Sequence, residues 1–181
     1  MLNRVSGSGG MIGKLRESFD SGASLDFRNP STFGHDVNSV AGLLKQFFRE
    51  LPDPLLTHEK YTDFIEAARK WTSMLFQSCK NESNSLTLYT GLEDDTVRRD
   101  SLHALVNGLP DPNYATLRAL VLHLNRVQEH SERNRMSTSN LAICFAPTLM
   151  GPHTGEMRDA GLQARVIDTI LVNTWQIFDE D

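Results

Sequence analysis

Residues 37–55 read VNSVAGLLKQFFRELPDPL and carry a clear helical pattern. Its apolar residues recur every three or four positions, which is the period of an amphipathic α-helix and not of a strand. Asp36 precedes the stretch as a suitable N-cap, and Pro52 and Pro54 forbid continuation of the helix. The predicted inner face consists of Val37, Val40, Leu44, Phe47 and Leu51, widened by Leu43 and Phe48.

Helical spacing continues on both sides of this stretch. Residues 23–35 are predicted to be a loop, and residues 71–92 have no period, so we expect an irregular insertion there. No β-hairpin signal appears. The sequence therefore predicts an all-α, single-domain multi-helix bundle over residues 1–181. Further helices are predicted at about 11–19, 57–69, 97–106, 112–127, 138–147 (ended by Pro147) and 162–171.

Composition describes an ordinary globular domain. The 181 residues are 39% hydrophobic and 23% charged. A net charge of −5 argues against a broad nucleic-acid-binding face, so no nucleic-acid partner is expected. No apolar run approaches the length of a membrane span, which predicts no direct membrane insertion. The two cysteines, Cys79 and Cys144, have no metal-ligand spacing, and we expect a cytoplasmic protein.

The glycine-rich start suggests enzyme motifs but does not complete one. A phosphate loop ending at Gly13 and Lys14 would need glycine where Ser8 stands and a hydroxyl where Leu15 stands. The run RVSGSG is not the Gly-x-Ser-x-Gly of a nucleophile elbow, and the six histidines show no paired zinc-ligand spacing. The sequence predicts no cofactor and no metal site.

Two polar positions on helices are better candidates. Lys45 and Arg49 stand at i,i+4 away from the apolar stripe, where like charges cost a helix a few tenths of a kcal/mol. This spacing fits either a solvated basic face or a paired site for an anion or carboxylate. Asn140 lies in the first turn of the most apolar helix, where its amide either makes local N-terminal hydrogen bonds or projects toward a partner.

Three stretches together indicate a family. Residues 4–22 read RVSGSGGMIGKLRESFDSG, residues 40–57 read VAGLLKQFFRELPDPLLT, and residues 136–152 read MSTSNLAICFAPTLMGP. In this order they resemble the GTPase-activating domain for Rho-family small GTPases, the RhoGAP domain. The resemblance runs from about residue 4 to residue 178, apart from residues 71–92.

The resemblance implies a fold, a partner and site residues. The domain would bind a GTP-bound Rho-family small GTPase and accelerate its hydrolysis of GTP without being an enzyme itself. Arg4 matches the arginine that the family inserts into the GTPase active site. Lys45, Arg49, Asn140 and Pro147 match residues of its GTPase-binding motifs. The alternative is a non-catalytic GTPase-binding or scaffolding module of the same fold.

The sequence also departs from the family pattern. Residues 1–3 replace a family glycine, an aliphatic residue and usually an aromatic one, and no helical sequence precedes the arginine loop. The resemblance therefore predicts an N-terminally truncated domain, with an insertion at about 71–92. We expect the full-length protein to carry further membrane-targeting or interaction domains.

Overall fold

The computed structural model describes residues 7–78, 87–151 and 159–178, with side chains described outside residues 70–94. Within these residues the regular structure is all helical, which confirms the predicted fold class. None of the described helices is both long and apolar enough to cross a membrane. In chain order the helices are α1 (Gly9–Asp20), a 3-10 helix (Pro30–Phe33), α2 (Val37–Arg49), α3 (Tyr61–Ser78), α4 (Thr87–Asn107), α5 (Asp111–Glu129), α6 (Ser131–Asn134), α7 (Thr138–Leu149), α8 (Asp159–Val172) and α9 (Thr174–Ile177).

The core forms around α7, which packs along α8 and also contacts α2 and α5. The apolar faces predicted for the third, fifth and last helices are confirmed as core, because their residues are buried in one cluster. Each Å² of apolar surface that these faces remove from water is worth about 25 cal/mol. Burial of apolar surface is the dominant favourable term in the free energy of folding. Its members include Phe64, Ile65, Ala68, Leu117, Leu120, Val121, Leu124, Val166, Ile167, Ile170 and Leu171.

The segment after α2 is a packed corner. Pro54, Leu55 and Leu56 are buried, and the Leu56 amide donates a hydrogen bond to the Leu149 carbonyl at the end of α7 (3.0 Å). Gly151 follows with φ +82°, and a β-carbon there would lie 2.8 Å from Pro54 Cγ. The proline-rich motif after α2 and the end of α7 are therefore one structural unit, although about a hundred residues separate them.

The predicted inner face of α2 is partly wrong. Phe48 is 4% exposed, whereas its neighbour Phe47 is 57% exposed and Val37 is 41% exposed. The buried side runs through Ala41, Leu44, Phe48 and Leu51, so the helix is turned relative to the predicted stripe. The reason is that α2 contacts α7 on one side and α1 on another, and a wide apolar stripe does not reveal which part the neighbours cover. The uncovered part lines a groove of about 480 Å³ between α1 and α2, with Phe19, Phe27, Val40, Leu43 and Phe47 in its wall.

The segment expected to be irregular is helical at both ends. Helix α3 continues to Ser78 and α4 already begins at Thr87, and residues 79–86 lie outside the described residues. Apolar periodicity reports burial along one face and not helix formation itself, so a helical segment without an apolar stripe is missed.

Pro147 does not end its helix, contrary to the sequence-based expectation. Helix α7 continues to Leu149, and both Thr148 and Leu149 are buried. Proline lacks the amide hydrogen that would bond to the Ile143 carbonyl, and its ring crowds that carbonyl. Burial of the Thr148 and Leu149 side chains offsets both costs.

Candidate functional site

Helices α1 and α2 run side by side in the same direction. The Ile12 side chain fills the space beside Gly42, where a β-carbon would lie 2.7 Å from Ile12 Cδ1. Further along both helices, an Arg16 guanidinium nitrogen donates to Glu50 Oε1 (2.9 Å). These two contacts hold α1 against α2 along their length.

The Asp36 carboxylate accepts a hydrogen bond from the segment that leads into α1. Asp36 Oδ1 accepts a hydrogen bond from the Asn38 amide (3.1 Å) and so caps α2, as the sequence predicts. Its other oxygen, Oδ2, accepts from the Ser8 amide (3.2 Å) and from the Ser39 hydroxyl. The Ser39 hydroxyl, followed by the Ser8 amide, lowers the pKa of the Asp36 carboxyl because both hydrogen bonds favour its charged form. The sequence revealed the cap but not the contact with Ser8, which lies 28 residues away.

Lys45 and Arg49 lie on one side of α2. Lys45 is half-buried and Arg49 is exposed. With Asn38 and Gly42 they occupy positions i, i+4, i+7 and i+11, which share a helical face. Since Ile12 packs on Gly42, the start of α1 adjoins this face. Arg4 lies outside the described residues, and the roles of all three basic residues stay predictions.

Asn140 makes the local hydrogen bonds that one of its two sequence-based interpretations expects. Its amide nitrogen Nδ2 donates to the Arg135 carbonyl (3.0 Å), and its backbone N–H donates to the Ser137 hydroxyl that caps α7 (3.3 Å). The side chain is half-buried, so it still contributes to the surface. A role in partner binding stays a prediction for Asn140.

The outer face of α7 carries an exposed apolar residue, although the sequence marks this helix as the most apolar of the chain. Ile143 is 64% exposed, and Pro147 is exposed as well. Asn140, Ile143 and Pro147 have the spacing i, i+3, i+7 and therefore lie on one side of the helix. That spacing is the signal that could have identified Ile143. Because α7 contacts α2, the four predicted site residues that the structure describes sit on two neighbouring helices.

Comparison with known proteins identifies the family to which the chain belongs. The chain matches the RhoGAP domain family over residues 2–154. This match spans most of the 181 residues, and the chain therefore belongs to the RhoGAP domain family.

Individual relatives agree with this assignment. The chain is 35% identical over 99% of its length to the probable Rho-GTPase-activating protein 7 of Schizosaccharomyces pombe, and it covers 22% of that protein. It is 37% identical over 98% of its length to Rho GTPase-activating protein 27 of Rattus norvegicus, covering 18% of that protein. The chain thus spans about a fifth of the length of these relatives.

Solved structures share the fold. The crystal structure of human Rho GTPase activating protein 15 matches with a TM-score of 0.77 at 31% identity, over 97% of this chain and 74% of the other. The crystal structure of the BH domain from GRAF, the GTPase regulator associated with focal adhesion kinase, matches with a TM-score of 0.74 at 26% identity. That match covers 99% of this chain and 84% of the other.

Proposed function

We propose that this chain binds the GTP-bound form of a Rho-family small GTPase and accelerates GTP hydrolysis by supplying Arg4 in trans. The chain hydrolyses no nucleotide alone; the GTPase supplies the nucleotide site and the attacking water. The names of its relatives, which are Rho GTPase-activating proteins, support this activity.

One observation carries the proposal: the region matched to the family, residues 2–154, includes Arg4 together with every other predicted site residue. Two of those residues, Lys45 and Arg49, stand on the helix to which the chain just after Arg4 is fastened. The described chain that follows Arg4 in sequence is therefore attached to the helix that carries the basic face.

The chemistry of the step favours arginine at position 4. Phosphoryl transfer builds negative charge on the transferring group and on the leaving oxygen. A guanidinium is always charged and donates in a planar fork, so it stabilises that charge better than an ammonium does. An arginine finger generally contributes ~10³–10⁵ in rate, which corresponds to roughly 4–7 kcal/mol of barrier.

The remaining residues are assigned to binding. Arg49 is exposed and Lys45 half-buried, so both have access to an acidic or anionic surface of the partner. On the outer side of α7, the apolar Ile143 lies between the polar Asn140 and the proline Pro147. An apolar centre with a polar surround is the usual anatomy of a protein interface.

Single-turnover GTP hydrolysis by a panel of Rho-family GTPases tests the proposal. Arg4→Ala should lose about 10³-fold or more of the stimulated rate while keeping most of the affinity for the GTP-loaded partner. Arg4→Lys should restore only a part, because a point charge does not reproduce the fork. Arg28→Ala is a matched control, since Arg28 is exposed on the loop after α1 and is not assigned to the site.

The outcomes of this assay distinguish a catalytic activator from a non-catalytic GTPase-binding module. Stimulation by the parent chain that Arg4→Ala abolishes supports the catalytic role. Tight binding to a GTP-loaded partner without any stimulation would support the non-catalytic module instead. Wild-type stimulation by Arg4→Ala would refute the assignment of Arg4.

A further inference from the structure

The contact between Asp36 and the chain entering α1 involves more than a helix cap requires. An N-cap needs one side-chain oxygen that accepts from a backbone amide of the first turn, and Asp36 Oδ1 meets this need through Asn38. The second oxygen is used by Ser8, which belongs to a different segment, and by the Ser39 hydroxyl.

The residue before Ser8 is pressed directly onto α2. A β-carbon on Gly7 would lie 2.4 Å from both Cα and N of Ser39. Such a distance is shorter than any side chain tolerates, and the obstacle is backbone that cannot rotate away. Ser39 itself is fully buried. The contact is thus backbone against backbone, and it leaves no room for a side chain at position 7.

These contacts lie close to Arg4 along the chain. Gly7 follows Arg4 by three residues, and three residues span at most about 11 Å when fully extended. The anchored glycine therefore limits how far Arg4 can move from the start of α2. Limiting the range of a catalytic group before the partner binds reduces the ordering cost that the complex must overcome.

We propose that Gly7, Asp36 and Ser39 form a clamp that positions Arg4 for insertion into the partner's active site. The inference rests on the proposed function of Arg4. None of the three residues needs to touch the nucleotide or the GTPase; they are positioning residues that act through Arg4. The clamp joins the two segments of the site, because the carboxylate that starts the helix of Lys45 and Arg49 also holds the chain of Arg4.

The variant Gly7→Ala tests the clamp, since its methyl group cannot fit against Ser39. Gly9→Ala is the matched control, because nothing lies within 4 Å of a β-carbon at that position. We expect Gly7→Ala to lower the maximal stimulated rate by roughly tenfold to a hundredfold. The concentration at half-maximal stimulation should change less, and Gly9→Ala should leave both unchanged. Ser39→Ala, which removes one hydrogen bond to Asp36 and adds no clash, should lower the rate more mildly.

A double-mutant cycle distinguishes positioning from general damage to the fold. If Gly7 acts through Arg4, then Gly7→Ala should cause no further loss of rate in the Arg4→Ala background. An equal loss in both backgrounds would overturn the clamp, and so would full stimulation by Gly7→Ala.

Hydrogen exchange at the Ser8 amide gives a readout independent of activity. This amide should exchange slowly in the full parent chain, because it donates to Asp36, and clearly faster in Gly7→Ala and Asp36→Asn. An unprotected Ser8 amide in the parent would overturn the clamp. If the Ser8 amide is protected in the parent chain but the chain stimulates no GTPase, the proposed function is contradicted. If the stimulation depends on Arg4 but is unchanged in Gly7→Ala, only the clamp is contradicted.

Discussion

The two adjacent phenylalanines of α2 provide a sharp test of how this helix is turned. Complete burial of a phenylalanine removes about 200 Å² from water, which at about 25 cal/mol per Å² is worth about 5 kcal/mol. Phe48 is 4% exposed and belongs to the core, so Phe48→Ala should cost about 3–5 kcal/mol. Phe47 is 57% exposed, so less than half of its area is buried and Phe47→Ala should cost at most about 2 kcal/mol.

Urea unfolding followed by circular dichroism measures both costs. The two variants should show similar slopes and clearly different midpoints, with Phe48→Ala unfolding first. Phe47→Ala should also retain GTPase stimulation, because residues two positions apart on a helix lie on roughly opposite sides and Phe47 is two positions from both Lys45 and Arg49. An equal loss of stability, or a larger loss for Phe47→Ala, would refute the described orientation of α2.

Four further predictions follow from described contacts. The lowered pKa of Asp36 implies a stabilisation that is complete above its unfolded pKa and is lost as pH falls through the folded pKa. The difference in urea midpoint between the parent and Asp36→Asn should therefore shrink between pH 6 and pH 3. A difference that stays constant over this range would contradict the prediction. Arg49→Ala should change the free energy of unfolding by less than about 0.5 kcal/mol, since Arg49 is exposed, yet weaken GTPase binding measured by titration calorimetry; unchanged affinity would leave only a solvated face. Ile143→Ser should keep the melting temperature and reduce the same affinity, and a large drop in melting temperature would show that Ile143 packs inward. Gly151→Ala should lower the melting temperature, because its φ is +82° and its β-carbon would meet Pro54; an unchanged value would mean that the corner adjusts freely.

Local signals in the sequence were enough to predict the buried faces of α5 and α8. The apolar residues of α5 and α8 repeat at helical spacing and are buried as predicted, because each stripe faces a single core. The cap at Asp36 was also predictable, since a cap joins a side chain to an amide two or three residues away. The basic pair at Lys45 and Arg49 could be recognised from spacing and from the family motif, but its role stays a prediction.

Long-range contacts decided the rest. Only the packing of α2 between α1 and α7 determines that Phe48 is buried and Phe47 is not. Only the packed neighbours of α7 determine that Ile143 points outward from an almost wholly apolar helix. The hydrogen bond between Asp36 and Ser8 could not be predicted either, because Asp36 Oδ2 accepts it from an amide 28 residues earlier in the chain. Periodicity and capping are set by residues within one or two helical turns, whereas the choice of buried side and the pairing of distant segments depend on how the helices fill space together.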